Sequence, residues 1–168
     1  LTEQRMLVER FNHVPLYIQP QSFFQTNPVL AAALYQTARA WTEDLPLVYI
    51  WDLFCGVGGF ALHLAAPDRV VTGIEISASA IDCASRSAQE LGLVNFHFQA
   101  LDAAAFAQAQ QQRPDLLVVN PPRRGLGPEL CATVMQLQPQ WLLYSSCNPQ
   151  SLCTDLALLS QYQLRKVQ

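Results

Sequence analysis

An α/β fold with a doubly wound, mainly parallel sheet is what this sequence predicts, and three observations carry the prediction. Five short apolar, β-branched runs alternate with helix-patterned segments from residue 45 onward. Such alternation is the pattern of βαβ units feeding a parallel sheet. The first run leads into a turn with glycines at 56, 58 and 59, which opens the following helix. Each run also stops on polar or conformationally special residues, and open sheets of this type bind ligands beyond their C-terminal strand ends.

Taken in order, residues 1–13 mix charged and apolar side chains and read as the tail of a linker or a helix. Residues 15–20, with proline at both ends, read as a short edge strand. Residues 1–20 are therefore expected as a linker or edge segment, and residues 21–168 as a domain incomplete at its C-terminus. Asn27 can cap a helix whose first position is Pro28. Val29, Leu30, Ala33, Leu34, Ala38 and Trp41 then recur at helical spacing, on a face expected to pack against the sheet. Strands are expected over 46–53, 69–75, 95–99, 115–120 and 140–146, and helices over 59–66, 78–91, 103–111, 128–137 and 149–160. Residues 162–167 would begin a sixth strand, with the last hairpin truncated. The Gln/Ala-rich stretch 103–112 reads as a helix with a soluble face rather than low complexity. The pattern is Rossmann-like.

Composition bounds the function classes. A chain of 168 residues, 51% apolar, suits one domain with a sizeable core, and no run is long enough to span a membrane. Because it begins at Leu1 and lacks a signal-peptide pattern, it reads as a piece of a cytoplasmic protein. Its five cysteines form no C-x-x-C pair, so reduced thiols are expected, with neither a disulfide framework nor a metal site. The net charge is -3, and nine of the ten basic residues are arginine. Such a chain cannot hold a long polyanion by its overall field, so any nucleic-acid contact must be local or supplied by other segments.

The glycine turn lets the backbone approach a bound group, while the helix after it offers unpaired N–H groups. Glycine spacing alone decides little, since Gly56, Gly58 and Ala61 also satisfy the looser dinucleotide fingerprint. Glu75, at the tip of the second strand, can accept the hydroxyls of a ribose in any adenosine cofactor. Asp52 separates the options: an acid at the end of the first strand would oppose a pyrophosphate, but suits a cofactor with a cationic amino-acid tail such as S-adenosylmethionine. Asp102 reads equally well as a helix cap or as a contact to an adenine amino group.

Two later strand ends carry chemistry. Asn120-Pro121-Pro122 makes a rigid turn that presents the Asn side chain, and Arg123 and Arg124 after it form a local basic patch able to hold phosphates. Cys147 sits between a strand end and Asn148-Pro149, at the start of a helix on the cofactor edge, so it is the candidate nucleophile. Cys55 is the second-ranked candidate. Cys83, Cys131 and Cys153 fall inside expected helices and read as small buried apolar residues.

With these residues in view, the segments Asp52-Leu53-Phe54-Cys55-Gly56-Val57-Gly58-Gly59, Asn120-Pro121-Pro122-Arg123-Arg124-Gly125 and Ser145-Ser146-Cys147-Asn148-Pro149 resemble the class I S-adenosylmethionine-dependent RNA uracil-C5 methyltransferases. Phe24-Gln25-Thr26-Asn27 is similar to a segment that precedes the domain in that family. The likeness runs from about residue 20 to the end and is nearest to the RumB type, which acts on 23S ribosomal RNA in bacteria. It implies Cys147 as nucleophile and Gln25, Phe54, Glu75 and Asn120 as cofactor contacts, with Asp52, Gly56, Gly58 and Asp102 as further cofactor candidates and Arg123 and Arg124 toward RNA. Many members have Asp where this chain has Asn120. It also implies a glutamate general base C-terminal to the nucleophile's helix and, in many members, a 4Fe–4S cluster near the N-terminus; both are expected in other parts of a longer protein. A membrane or an obligate protein partner is not implied.

Alternatives stay open at this point. Asn-Pro-Pro also marks amino methyltransferases acting on adenine or glutamine, although those place an aromatic residue where Arg123 stands and need no cysteine. A dinucleotide-dependent oxidoreductase and a non-catalytic S-adenosylmethionine-binding module are the remaining classes.

Overall fold

The computed structural model describes residues 6–19 and 27–168. Its centre is a five-stranded parallel sheet, β3 (Tyr49–Leu53), β4 (Val70–Glu75), β5 (Phe96–Ala100), β6 (Leu116–Val119) and β7 (Trp141–Tyr144), in the spatial order β5-β4-β3-β6-β7. The chain winds outward from β3 to β5, then returns to lay β6 against the other side of β3. That reversal creates a crevice between the loops after β3 and β6, the position where doubly wound sheets bind ligands.

The central strands read as near-continuous apolar runs because helices cover both faces. Ile50, Leu53, Val71, Ile74 and all four residues of β6 are buried. Among the described residues, six helices accompany the sheet: α1 (Pro28–Thr42), α2 (Gly59–His63), α3 (Ala78–Glu90), α4 (Ala103–Ala109), α5 (Gly127–Leu137) and α6 (Pro149–Leu158). Side-chain oxygens of Asn27, Ser77, Asp102 and Asn148 cap α1, α3, α4 and α6.

Two expectations are corrected in the N-terminal region. Residues Leu7–Phe11, read as a linker tail or helix, form strand β1, which pairs antiparallel with β2 (Val14–Ile18) across Asn12 and His13, both with positive φ. Phe11 and Leu16 are buried in the same cluster as Tyr35, Leu62 and Val71, and a Leu16→Ala truncation there would cost roughly 2–5 kcal/mol. The hairpin is also tied to α3, with Tyr17 N donating to Ser87 Oγ at 3.1 Å and Tyr17 OH to Glu90 Oε2 at 2.6 Å. On α1 the buried face is Ala31, Tyr35, Ala38 and Thr42, whereas Val29 and Leu30 are exposed. Tyr35 fixes that orientation: its ring stacks on His63 at 4.7 Å and meets Phe60 edge-on at 5.2 Å.

At the other end, residues 162–168 form no strand. A strand needs a ladder partner, and Tyr162 instead packs against the core and donates its hydroxyl to the Pro139 carbonyl at 2.9 Å.

Candidate functional site

The register of the sheet brings the singled-out strand ends to one edge. Leu53 pairs with Ile74 on one side and Val119 on the other, and Val119 pairs with Tyr144. Phe54, Glu75, Asn120 and Ser145 therefore follow in neighbouring positions along the C-terminal rim.

On the β3–β4 side, Asp52 is fully buried. Its Oδ2 accepts from Ala61 N at 3.0 Å, tying the strand to the first turn of α2, while its Oδ1 has no hydrogen-bond partner among the described residues. Burial, partly offset by the Ala61 amide and reinforced by the Glu75 charge, pushes the Asp52 carboxyl up to about 7. Phe54 follows with φ 63°, an unusual conformation for a bulky residue, and directs the chain into the turn. Gly56 and Gly58 take φ of 53° and 86°, and the space where a Gly56 Cβ would lie is open. Glu75 bridges this turn to the next: Oε2 accepts from Gly56 N at 3.2 Å and Oε1 from Ser77 N at 3.0 Å.

A cofactor with a cationic tail fits this donor set. The wall carries a buried carboxylate with an unpartnered oxygen and a second carboxylate beside the glycines, while residues 54–60 contain no basic side chain to offset a pyrophosphate. Asp102 is exposed and its Oδ1 accepts from Ala104 N and Ala105 N at 3.0 and 2.9 Å, so its observed task is to cap α4. Cys55 is buried, and desolvation with the nearby Asp52 and Glu75 charges pushes its thiol well above the ordinary range, a setting that disfavours the thiolate.

On the β6–β7 side, Asn120 is half-buried at the strand end, and Arg123 and Arg124 are exposed beyond the prolines. Cys147 is exposed at the tip of the neighbouring loop. Ser146 Oγ accepts from Asn148 N and donates to Asn148 O, both at 3.0 Å, holding the backbone on either side of the thiol. Asn148 caps α6 by accepting from Gln150 N at 3.1 Å, and its Nδ2 donates to the Arg123 carbonyl at 2.9 Å. One side chain thus fastens the Cys147 loop to the Asn-Pro-Pro-Arg loop. Cys153 is exposed on α6, against the expectation of a buried thiol, because the position that helix buries is Asp155, followed by Leu159 at its cap, rather than position 153.

Gln25 lies outside the described residues. Asp155 went unnoticed in the sequence because a lone acid inside a helix carries no pattern. It is buried, and accepts from Leu126 N at 2.7 Å, Gly127 N at 3.2 Å and Tyr144 OH at 2.6 Å. Two surface clefts, of about 360 and 290 Å³, lie away from this rim, and none of the candidate residues lines either. Among the described residues no His, Cys, Asp or Glu cluster suits a metal ion, and no helix is long and apolar enough to cross a membrane.

Comparison with known proteins gives this edge a context. A family model described as tRNA (Uracil-5-)-methyltransferase matches residues 4–167. The 23S rRNA (uracil(747)-C(5))-methyltransferase RlmC of Citrobacter koseri is 58% identical over all 168 residues, which span 45% of that protein. The same enzyme from Yersinia pseudotuberculosis is also 58% identical, with the same coverage. The chain thus spans less than half the length of the curated relatives it matches. Among solved structures, the Pyrococcus abyssi tRNA (uracil-54, C5)-methyltransferase in complex with S-adenosyl-L-homocysteine superposes with a TM-score of 0.78 at 31% identity, over 93% of this chain and 38% of that one. A SAM-dependent methyltransferase from Agrobacterium tumefaciens, at 18% identity and a TM-score of 0.73, shares the fold.

Proposed function

This chain belongs to the tRNA (uracil-5-)-methyltransferase family, and from that premise we propose that its protein transfers a methyl group from S-adenosylmethionine to C5 of a uracil in RNA, with 23S ribosomal RNA as the substrate. The choice of ribosomal RNA rests on the relatives at 58% identity. A protein acting there works where ribosomes are made, so the proposal includes a cytoplasmic location. The observation that supports the reading most is the exposed Cys147, braced by Ser146 and Asn148 and fastened to the Arg123 loop on the same rim as the glycine turn.

The chemistry asks for such a residue. Uracil C5 is too poor a nucleophile to accept a methyl group unaided, so Cys147 Sγ adds as thiolate to C6, and the C5=C6 electron pair moves into an enolate. Bound S-adenosylmethionine supplies the electrophilic methyl that C5 accepts. A base then takes the C5 proton, the double bond re-forms and the thiolate departs. In this assignment Asp52 faces the cationic tail, Glu75 exchanges its Gly56 and Ser77 amides for, or shares them with, ribose hydroxyls, and Gln25, Phe54 and Asn120 complete the contacts. Gly56 and Gly58 shape the turn, and Asp102 borders it. Arg123 and Arg124 hold phosphates while the target base leaves its stack to reach the thiol.

The test is covalent trapping. RNA carrying 5-fluorouracil cannot lose a proton from C5, so the adduct persists. Incubated with S-adenosylmethionine, the protein should form a stable RNA complex whose mass includes the methyl group, and Cys147→Ala should form none. Methyl transfer that survives Cys147→Ala, or that appears on an exocyclic nitrogen, would overturn the proposal in favour of an amino methyltransferase.

A further inference from the structure

Three parts of the site that are distant in sequence meet at one buried carboxylate. Asp155, on the second turn of α6, is 2% exposed. Its Oδ2 takes the Tyr144 hydroxyl from the end of β7, three residues before Cys147, and the Leu126 amide; its Oδ1 takes the Gly127 amide. Those amides open α5 and close the loop that carries Arg123 and Arg124. Gly125 sits at φ 82°, with a turn bond from Gly125 N to Pro122 O of 2.9 Å, and a Cβ there would strike the Asp155 carboxylate. The loop is therefore built to let its backbone reach this side chain.

We infer that Asp155 is a positioning residue that sets the nucleophile loop and the arginine loop in one fixed relation, so that the thiol and the RNA-holding backbone move as a unit. The inference rests on the uracil reading only for its effect on catalysis. A carboxylate accepting three bonds in a buried setting holds its donors more tightly than water would. Asn148 supplies a second tie between the same two loops through the Arg123 carbonyl. Asp155 touches no reacting atom, so its loss should act through geometry: a displacement of about 1 Å at a nucleophile can lower a rate about a hundredfold.

The experiment compares Asp155→Asn and Tyr144→Phe with the parent in the whole protein that carries this chain. Adduct formation with 5-fluorouracil RNA should fall at least about tenfold in Asp155→Asn and less in Tyr144→Phe, while the dissociation constant for S-adenosylmethionine changes less than about twofold. Backbone hydrogen exchange should rise together at residues 123–127 and 145–149 in Asp155→Asn and stay unchanged at residues 55–62. Equal losses of cofactor binding and adduct formation, or exchange that rises at only one of the two loops, would overturn the inference. A parent that forms no adduct would sink the uracil reading, and the exchange pattern would still decide whether Asp155 couples the loops.

Discussion

Replacing Asp52 by Asn should make the free protein more stable at alkaline pH and a poorer binder of its cofactor. The carboxyl is fully buried with one oxygen unpartnered, and is pushed up to about 7 from an ordinary 3.8. Between those values the folded chain holds a proton that the unfolded chain has released, so stability falls as pH rises through this window. At ~1.4 kcal/mol per pH unit the loss amounts to about 4 kcal/mol, complete near pH 8. Asn cannot ionise, so the difference in stability between variant and parent should swing toward the variant by about 4 kcal/mol from pH 4 to pH 8. Its new amide N–H group adds a cost of about 1–3 kcal/mol at every pH, which leaves that swing intact. His63, lowered by burial, contributes a dependence of opposite sign, but equally to both proteins. Urea unfolding across this range measures the swing. Calorimetry with S-adenosylmethionine supplies the second half: if, as proposed, the cationic tail faces Asp52 and stabilises its ionised form, binding below pH 7 should release a proton, and Asp52→Asn should bind at least about tenfold more weakly. A swing under about 1 kcal/mol, or tighter cofactor binding by the variant, would refute the reasoning.

Two further outcomes are expected. Gly59→Ala should destabilise the chain by about 1–3 kcal/mol, read as a lower urea midpoint, because the new Cβ would strike the Tyr35 ring and hydroxyl; trimming Tyr35 to Leu in the same chain should recover part of the loss. Thiol labelling of the native protein should modify Cys147 and Cys153, with Cys55, Cys83 and Cys131 reacting only after unfolding, as mass spectrometry of the labelled peptides would show.

Much of this fold was written locally. The five sheet strands and their helices follow from apolar runs and capping residues, and Asn27, Asp102 and Asn148 each accept the amides that their positions before a helix call for. What failed to show depends on distant partners. Leu7 and Val8 are exposed within β1, so that strand has no apolar alternation to announce it, and only pairing with Val14–Ile18 makes it one. The buried stripe of α1 is chosen by Tyr35 against His63 and Phe60, contacts that no spacing rule ranks above Val29 or Leu30. The site divides in the same way. Strand ends and the Cys147 loop could be found from motifs, whereas the amides that Glu75 and Asp155 accept come from turns fixed by tertiary packing.

The adjacency of β3 and β6 has a kinetic consequence. A chain folded only through β5 already possesses the glycine turn and Glu75, since β3, β4 and β5 follow one another and pair in that sequence. Cys147 joins them only after β6 has crossed back to β3, the pairing of Ile50 with Leu116 that closes by far the longest loop in the sheet, and β7 has docked outside β6. Under the proposed assignment, the exposed thiol and the cofactor turn therefore share one rim only in a sheet that is complete.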